Sequence, residues 1–417
     1  MNAGDTAWVL GSAALVLFMT PGLALFYGGM IRTKNVLAMI VANFATIGVV
    51  SIVWAVVAYS IAFGPDAGHG LLGNLHLAGL AHPEMQVPGF QLTVPPLAFA
   101  AFQMMFAVIT AALLTGTVAE RAKFGAFLLF AVLWLVIVYA PIAHWVFSPA
   151  GWLAKKGVLD FAGGNVVEID SGASALALAL VIGRRKGWPR EVIAPHSLPF
   201  TMLGAGILWF GWFGFNAGSA LASGALASQA LVGTQLAASA GMLAWLVLEK
   251  ARTGKATTLG AASGAVAGLV AITPACGFVN SMASILIGAA GGAVSLFACS
   301  FKHRGGYDDS LDVVGVHGAA GLVGTLLVGV FATTKVNGAI KYDGLVHGHS
   351  FHLLGVQALA VVVTIAWAFT MTYLIATLVQ KTMGLRVTEA AEVEGLDTVL
   401  HAESAYDFGN TRAARLG

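Results

Sequence analysis

Residues 160–187 read DFAGGNVVEIDSGASALALALVIGRRKG, and the character of the chain is set in this stretch. From Ala162 to Gly183 it is apolar or small, apart from Asn165, Glu168, Asp170 and two serines. Then Arg184, Arg185 and Lys186 follow at once. As a helix such a run crosses the ~30 Å of a bilayer's hydrocarbon, and the basic cluster marks the water boundary where it stops. Glu168 and Asp170 are costly against lipid, so this helix belongs inside a bundle with its acids facing protein or a passage.

Ten further apolar runs flank it, giving eleven spans: 6–31, 36–63, 93–119, 124–147, 162–183, 197–218, 226–248, 257–275, 279–301, 312–334 and 352–380. The composition agrees. Of 417 residues, 58% are hydrophobic and 10% charged, with a mean hydropathy of +0.85, whereas soluble domains carry about 25% charged residues. Water-soluble enzymes, nucleic-acid binders and disordered chains are excluded, and a net charge of +2 offers no basic patch. Fifty-two glycines suit helices that touch through small residues, as in the ladders Gly260, Gly264, Gly268 and Gly288, Gly291, Gly292. Cys276 and Cys299 lie in separate apolar runs and imply no disulfide framework. Residues 1–5 lack the basic start of a signal peptide.

Basic residues set the sidedness. Seventeen of the 21 follow odd-numbered spans, and only Lys155, Lys156, Lys335 and Lys341 occupy the opposite loops. The positive-inside rule then puts the N-terminus outside and the C-terminus in the cytoplasm. The long link 64–91, rich in Gly, Pro and His, reads as an external loop.

NVVEIDSGASAL at 165–176 has an echo in DVVGVHGAAGLVG at 312–324. Each begins a helix with valines, offers one ionisable residue, Glu168 or His317, and continues in small residues at i+4 and i+7 on the same face. The two spans have opposite orientation, as an inverted five-plus-five repeat (spans 1–5 and 6–10) with a leftover eleventh helix requires. Glu168 and His317 meet near mid-membrane if the segments 160–167 and 308–316 dip inward, which Gly163-Gly164 favours in the first. A Glu–His pair can share a proton and so lower the cost of burying either group. The plainer alternative is a polar pair that only fixes helix register. Asp170, about 200° around the helix from Glu168, is expected to be bonded between helices or protonated, outside any pathway.

The stretch 160–187, together with ALFYGGMIRTKN (24–35), AERAKF (119–124), GWFGFNAGSA (211–220), GLVAITPACGF (268–278) and DVVGVHGAAGLVG (312–324), closely resembles ammonium transporters of the Amt/Mep/Rh family. The resemblance runs to the tail, GLRVTEAAEVEGLD (384–397). It implies an all-α polytopic protein of the cytoplasmic membrane with eleven transmembrane helices, a membrane domain over 1–383 and a cytoplasmic tail over 384–417. It also implies a homotrimer with one pore per subunit and no cofactor. By resemblance Ser219, Phe106 and Phe147 recruit ammonium at an outer vestibule, Phe106 and Phe215 form a phenyl gate, and Asp160 organises the vestibule loop. His317 matches the second member of a twin-histidine pair.

Two positions depart from the family. Glu168 stands where histidine is common, and Phe147 stands where a tryptophan is usual. Phenylalanine has the weaker quadrupole, so recruitment of a cation is poorer. Glu168 can be anionic where a histidine is neutral, so it is expected to accept the proton of the incoming ion and relay it beside His317, making transport electrogenic. In the tail, acids from Glu389 to Asp407 are expected to meet the basic loop around Arg184–Arg190. The resemblance implies docking on a neighbouring subunit up to about Tyr406 and regulation by a PII-type signal protein. The competing reading is an ammonium-sensing receptor that conducts little. No enzyme reading survives, since the sequence has no metal-spaced cluster, nucleophile motif or phosphate loop. His347, His349 and His352 read as loop residues.

Overall fold

The computed structural model describes residues 1–191 and 193–406. Asp407, the last of the tail acids named above, lies outside the described residues, as do the basic residues Arg412 and Arg415. Among those described, every regular element is helical, and the extended pairing is limited to the isolated bridges Asp66–Gly73 and Ala122–Arg386.

Among the described residues ten helices are long and apolar enough to cross a membrane: α1 (Ala3–Met30), α2 (Thr33–Phe63), α3 (Pro96–Val118), α4 (Phe124–Lys155), α5 (Gly164–Ile182), α6 (Leu198–Gly218), α7 (Ala225–Thr253), α9 (Ser281–Gly305), α10 (Val314–Phe331) and α11 (His352–Thr382). Between α7 and α9 lies α8 (Thr258–Ile272), which is 15 residues long. The apolar run predicted there, 257–275, extends past the helix because Thr273–Val279 turn back on themselves around Pro274. These turns are fully buried from Thr273 to Cys276, and irregular backbone at such depth is tolerated only within protein.

The polarity pattern is that of a protein solvated by lipid. Ile52, Leu243 and Val247 are more than half exposed, whereas Asn165, Asp170 and Thr234 are fully buried. Helix α1 packs along α6, α7–α9 form a tight triplet, and α5 lies against α11 and the start of α10. In the triplet a Cβ on Gly268 would stand 2.3 Å from the Ala237 carbonyl oxygen, and one on Gly288 would stand 2.2 Å from it. Such backbone contact is how helices associate when lipid removes the hydrophobic force between them. Among the described residues π-helical turns lie within or at the start of the helices at Trp54–Ala58, Leu135–Tyr139, Gly164–Ile169 and Val314–Gly318.

At the basic end of the bundle, residues that served as markers of sidedness prove to be structural. Arg121 is fully buried, with Nη2 donating to the Asp308 carbonyl at 2.6 Å. Arg185 donates to both Asp308 carboxylate oxygens at 2.8 and 2.9 Å and to Glu120 at 3.1 Å, while Arg32 reaches Glu120 at 2.8 Å. Burial pushes the Glu120 and Asp308 carboxyls up, but these guanidiniums outweigh it and hold both below the ordinary carboxylate range. The tail helices α12 (Glu389–Glu394) and α13 (Leu396–His401) dock here on their own chain. Buried Glu392 accepts from the Lys186 backbone N–H at 2.6 Å and from Arg386 at 2.7 Å, and Asp397 accepts from the N–H groups of Leu37 and Ala38 near the start of α2. Glu389 pairs with Lys186 at 2.6 Å.

Candidate functional site: an apolar chamber beside a phenyl pair

Asp160 builds the first wall of the site. Its carboxylate accepts the backbone N–H groups of Gly163, Gly164, Asn165 and Val166 at 2.8, 2.6, 2.7 and 3.4 Å. These are the orphan donors at the start of α5, and a carboxylate there is the natural cap. Gly163 makes the bend at φ +120°, a conformation open only to glycine. The π turn that follows bonds Glu168 N–H to the Gly163 carbonyl at 3.0 Å and sets the Glu168 side chain inward, where it is 1% exposed.

On the other side, Asp309 accepts the Val314 N–H at 2.7 Å and starts the π turn that carries His317. Asp308, which the sequence repeat placed at the head of the inward-dipping segment, instead holds Arg185. The capping role falls to the next residue. His317 Nδ1 stands 2.8 Å from Glu168 Oε2, both side chains almost wholly buried. Small residues permit the meeting. A Cβ on Gly172 would lie 2.2 Å from the Gly318 Cα, and one on Gly321 would lie 2.6 Å from the Glu168 Cβ.

The pair opens on a narrow cavity whose other walls are apolar: Met19, Leu23, Phe26, Ile109, Leu113, Val167, Leu208, Trp212, Phe215 and Val266. Its outer wall is a pair of phenyl rings. Phe106 and Phe215 stack at 4.1 Å with planes 10° apart, each 1% exposed. Beyond them lies an outer cavity of about 670 Å³ lined by Gln103, Phe106, Phe147, Asp160 and Ser219 among others. The Phe147 ring meets Phe106 edge-on at 6.5 Å. Ser219 donates its hydroxyl proton to the Phe215 carbonyl at 2.8 Å, which leaves the oxygen's lone pairs for a donor in the cavity. At the basic end a third cavity, of about 900 Å³, is lined by Arg185, Trp188, Glu191, Lys302, His303 and Asp312 among others.

A model of the Ammonium Transporter Family matches residues 7–406. The chain belongs to the ammonium transporter family. It is 49% identical to the ammonium transporter of Mycobacterium tuberculosis H37Rv, over 98% of this chain and 91% of that one. It is 48% identical to the ammonium transporter of Bacillus subtilis 168, over 97% and 99%. The crystal structure of Mep2 from Candida albicans superposes with a TM-score of 0.88 at 35% identity, covering 94% of this chain and 87% of the other. Family membership makes this an integral membrane transport protein and not an enzyme.

In this transporter the residues expected at the recruitment site, the phenyl pair and the Glu–His pair fall into two neighbouring groups. Glu168 and His317 bond to each other, while Ser219, Phe106, Phe147 and Asp160 border one outer cavity that Phe215 closes from within. Trp212, which the sequence did not single out, is buried and forms part of the inner chamber. Its ring meets Phe215 edge-on at 5.7 Å, and its Nε1 donates to Thr273 Oγ1 at 2.9 Å. The signal was available, since Trp212 precedes Phe215 by three residues and so shares its helix face. Trp145 and Trp209 are tied elsewhere, to the Leu71 carbonyl and to Gln235. Asp170 faces away from the chamber. It accepts from Ser174, whose hydroxyl oxygen receives Trp134 Nε1–H at 2.9 Å and the Thr372 hydroxyl at 2.9 Å, joining α5 to α4 and α11.

Proposed function

We propose that this protein carries ammonium across the cytoplasmic membrane as ammonia and a separately relayed proton. The observation that carries the reading is the buried Glu168–His317 bond in a chamber otherwise lined by apolar side chains. Ammonium, a compact cation with four N–H donors, loses its water at the outer cavity. There the Ser219 lone pairs accept from it, and the faces of Phe106 and Phe147 offer cation–π contacts worth ~0.5–2 kcal/mol. Potassium matches its size but donates no hydrogen bond, so Ser219 contributes to selectivity.

Past the Phe106–Phe215 gate a bare cation faces largely apolar walls and is held only by giving its proton to the Glu168 carboxylate, whereas neutral ammonia crosses the apolar chamber at small cost. The N–H bond of the ion breaks, its electron pair stays on nitrogen, and the proton passes through the outer face to the Glu168 carboxylate. From there it moves along the hydrogen bond to His317, and ammonia is protonated again on leaving. One positive charge moves per ammonium, so transport is electrogenic. Asp160 supports this by fixing the turn that aims Glu168.

The same reading extends to the architecture. Helix α8 with its buried turn completes eleven crossings. Helices α1–α5 and α6–α10 form an inverted repeat, which the packing of α1 on α6 and the facing π turns of α5 and α10 favour. The N-terminus lies outside, and the C-terminus lies in the cytoplasm. Three copies assemble, and the docked tail offers a surface to a PII-type signal protein.

Ammonium-evoked current from purified protein in liposomes tests the mechanism. Glu168→Gln keeps the shape and hydrogen bond but removes the base. Current should fall ~100-fold or more with a flattened pH profile, the scale of losing a general base. Wild-type current and pH profile in this variant would remove the relay, and binding without current in the native protein would favour a receptor.

A further inference from the structure

The two pore groups rest on carboxylates placed alike and supported unequally. Asp160 stands eight residues before Glu168 and takes four backbone N–H groups. Asp309 stands eight residues before His317 and takes one, from Val314, with the Thr117 hydroxyl added at 3.2 Å. Asp309 is 1% exposed, directly behind Ser310, Leu311 and Asp312, which line the cavity at the basic end. The nearby ammonium group does not neutralise it. Lys302 Nζ donates to the Asp309 backbone carbonyl at 3.0 Å and pairs with the Asp312 carboxylate at 2.7 Å. Among the described residues no Lys or Arg forms an ion pair with the Asp309 carboxylate.

We infer that Asp309 is the positioning residue for His317, and that a proton taken up by its carboxyl from the inner mouth weakens the cap on Val314 and slackens the Glu168–His317 contact. The inference rests on the transport reading and on the basic end facing the cytosol. It adds a control that the outer half lacks. A neutral carboxyl is a weaker acceptor than a carboxylate, and a cap with one amide has no reserve. Four amides on Asp160 give the outer turn that reserve.

The charged neighbours of Asp309 are Asp312 on its own loop and Lys302 from α9. The phenols of Tyr27 on α1 and Tyr307 also face it, and Asp308 beside it is occupied by Arg185 and Arg121. Burial, and then the Asp312 charge, push the Asp309 carboxyl up to about 6, with Lys302 and the two hydrogen bonds opposing. The sign matters. A carboxyl raised above its unfolded value favours folding below the ordinary carboxylate pKa and loses that contribution as pH rises toward 6. At neutral pH the ionised cap is therefore held against stability. A cap that served only structure would be better as the neutral amide.

The test uses right-side-out vesicles of the full chain, with radiolabelled methylammonium flux read while the internal pH is set between about 7.5 and about 5.5, a window around the carboxyl's midpoint. Wild-type flux should drop several-fold on acidification of the inner face, with a midpoint near 6. Asp309→Asn should make that response flat while melting no lower than wild type at neutral pH. An unchanged midpoint in Asp309→Asn would overturn the inference, as would a lowered melting point with the wild-type pH response retained. Should the variant carry no flux, Thr117→Val, which removes one donor, is expected to shift the midpoint upward, and no shift would count against the inference. A wild type without flux at any pH would instead defeat the transport reading. The infrared carboxyl band in the wild-type minus Asp309→Asn difference would then still have to titrate near 6 for Asp309 to stand.

Discussion

On one side of the chamber, the turn Gly164–Ile169 carries Glu168 from a glycine hinge with a carboxylate satisfied by four amides. On the other, Val314–Gly318 carries His317 from a carboxylate satisfied by one amide and a hydroxyl. The local geometry is shared, a π turn that rotates an ionisable side chain into an apolar space. The electrostatic support is not. The outer turn bears an acid that is costly to bury and is held rigidly. The inner turn bears an imidazole and hangs on a carboxylate raised to about 6. Rigidity therefore accompanies the group that is costlier to hold in place, and sensitivity accompanies its partner.

The comparison can be broken most severely where the halves touch. Gly172→Val would drive a side chain into the Gly318 backbone and part the two turns. Overpacking of this kind costs ~1–3 kcal/mol or more, and ammonium flux should fall ~100-fold while the trimmed variant Gly172→Ala loses less. Next comes the outer cap. Asp160→Ala strands four buried donors, each costing ~1–3 kcal/mol, so melting should drop further than for Asp309→Ala, and an equal drop would erase the asymmetry. Smaller effects belong to the outer cavity. Ser219→Ala removes one acceptor worth ~1 kcal/mol, so half-saturation for ammonium should rise ~5-fold with little change in maximal flux. Phe147→Trp supplies a stronger quadrupole and should lower half-saturation ~2–3-fold, a change of ~0.5 kcal/mol. Neither should alter the response to internal pH, since both lie across the gate from Asp309.

Much of this was legible in sequence because membranes impose coarse rules. Uninterrupted apolar runs marked the ten helices that are long enough to cross among the described residues, and Glu168 and His317 stood out as ionisable residues inside such runs. The run at 257–275 misled only in length, because Pro274 and its neighbours are as apolar inside a buried turn as they would be inside a helix. The π turns left no trace, since the phase shift that one inserted residue makes cannot be read in helices apolar on nearly every face. Asp308 and Asp309 are adjacent acids, and only their three-dimensional partners, Arg185 and Val314, tell the anchor from the cap. Likewise Arg121 and Arg185 could be counted as charges at a boundary, but their burial against Glu120 and Asp308 depends on residues distant in the chain. Trp212 did not stand out because an indole in an apolar helix has many uses, and its place beside the Glu168–His317 pair follows from the packing of α6 on α1.

The central claim is that Glu168 separates a proton from its ammonia and sends it through with His317. Simultaneous measurement of charge and of labelled ammonium entering liposomes tests it most directly. The account predicts one elementary charge per ammonium in the native protein and a ratio that collapses in Glu168→Gln even where some flux persists. An electrically silent flux in the native protein, or an unaltered ratio in the variant, would contradict it.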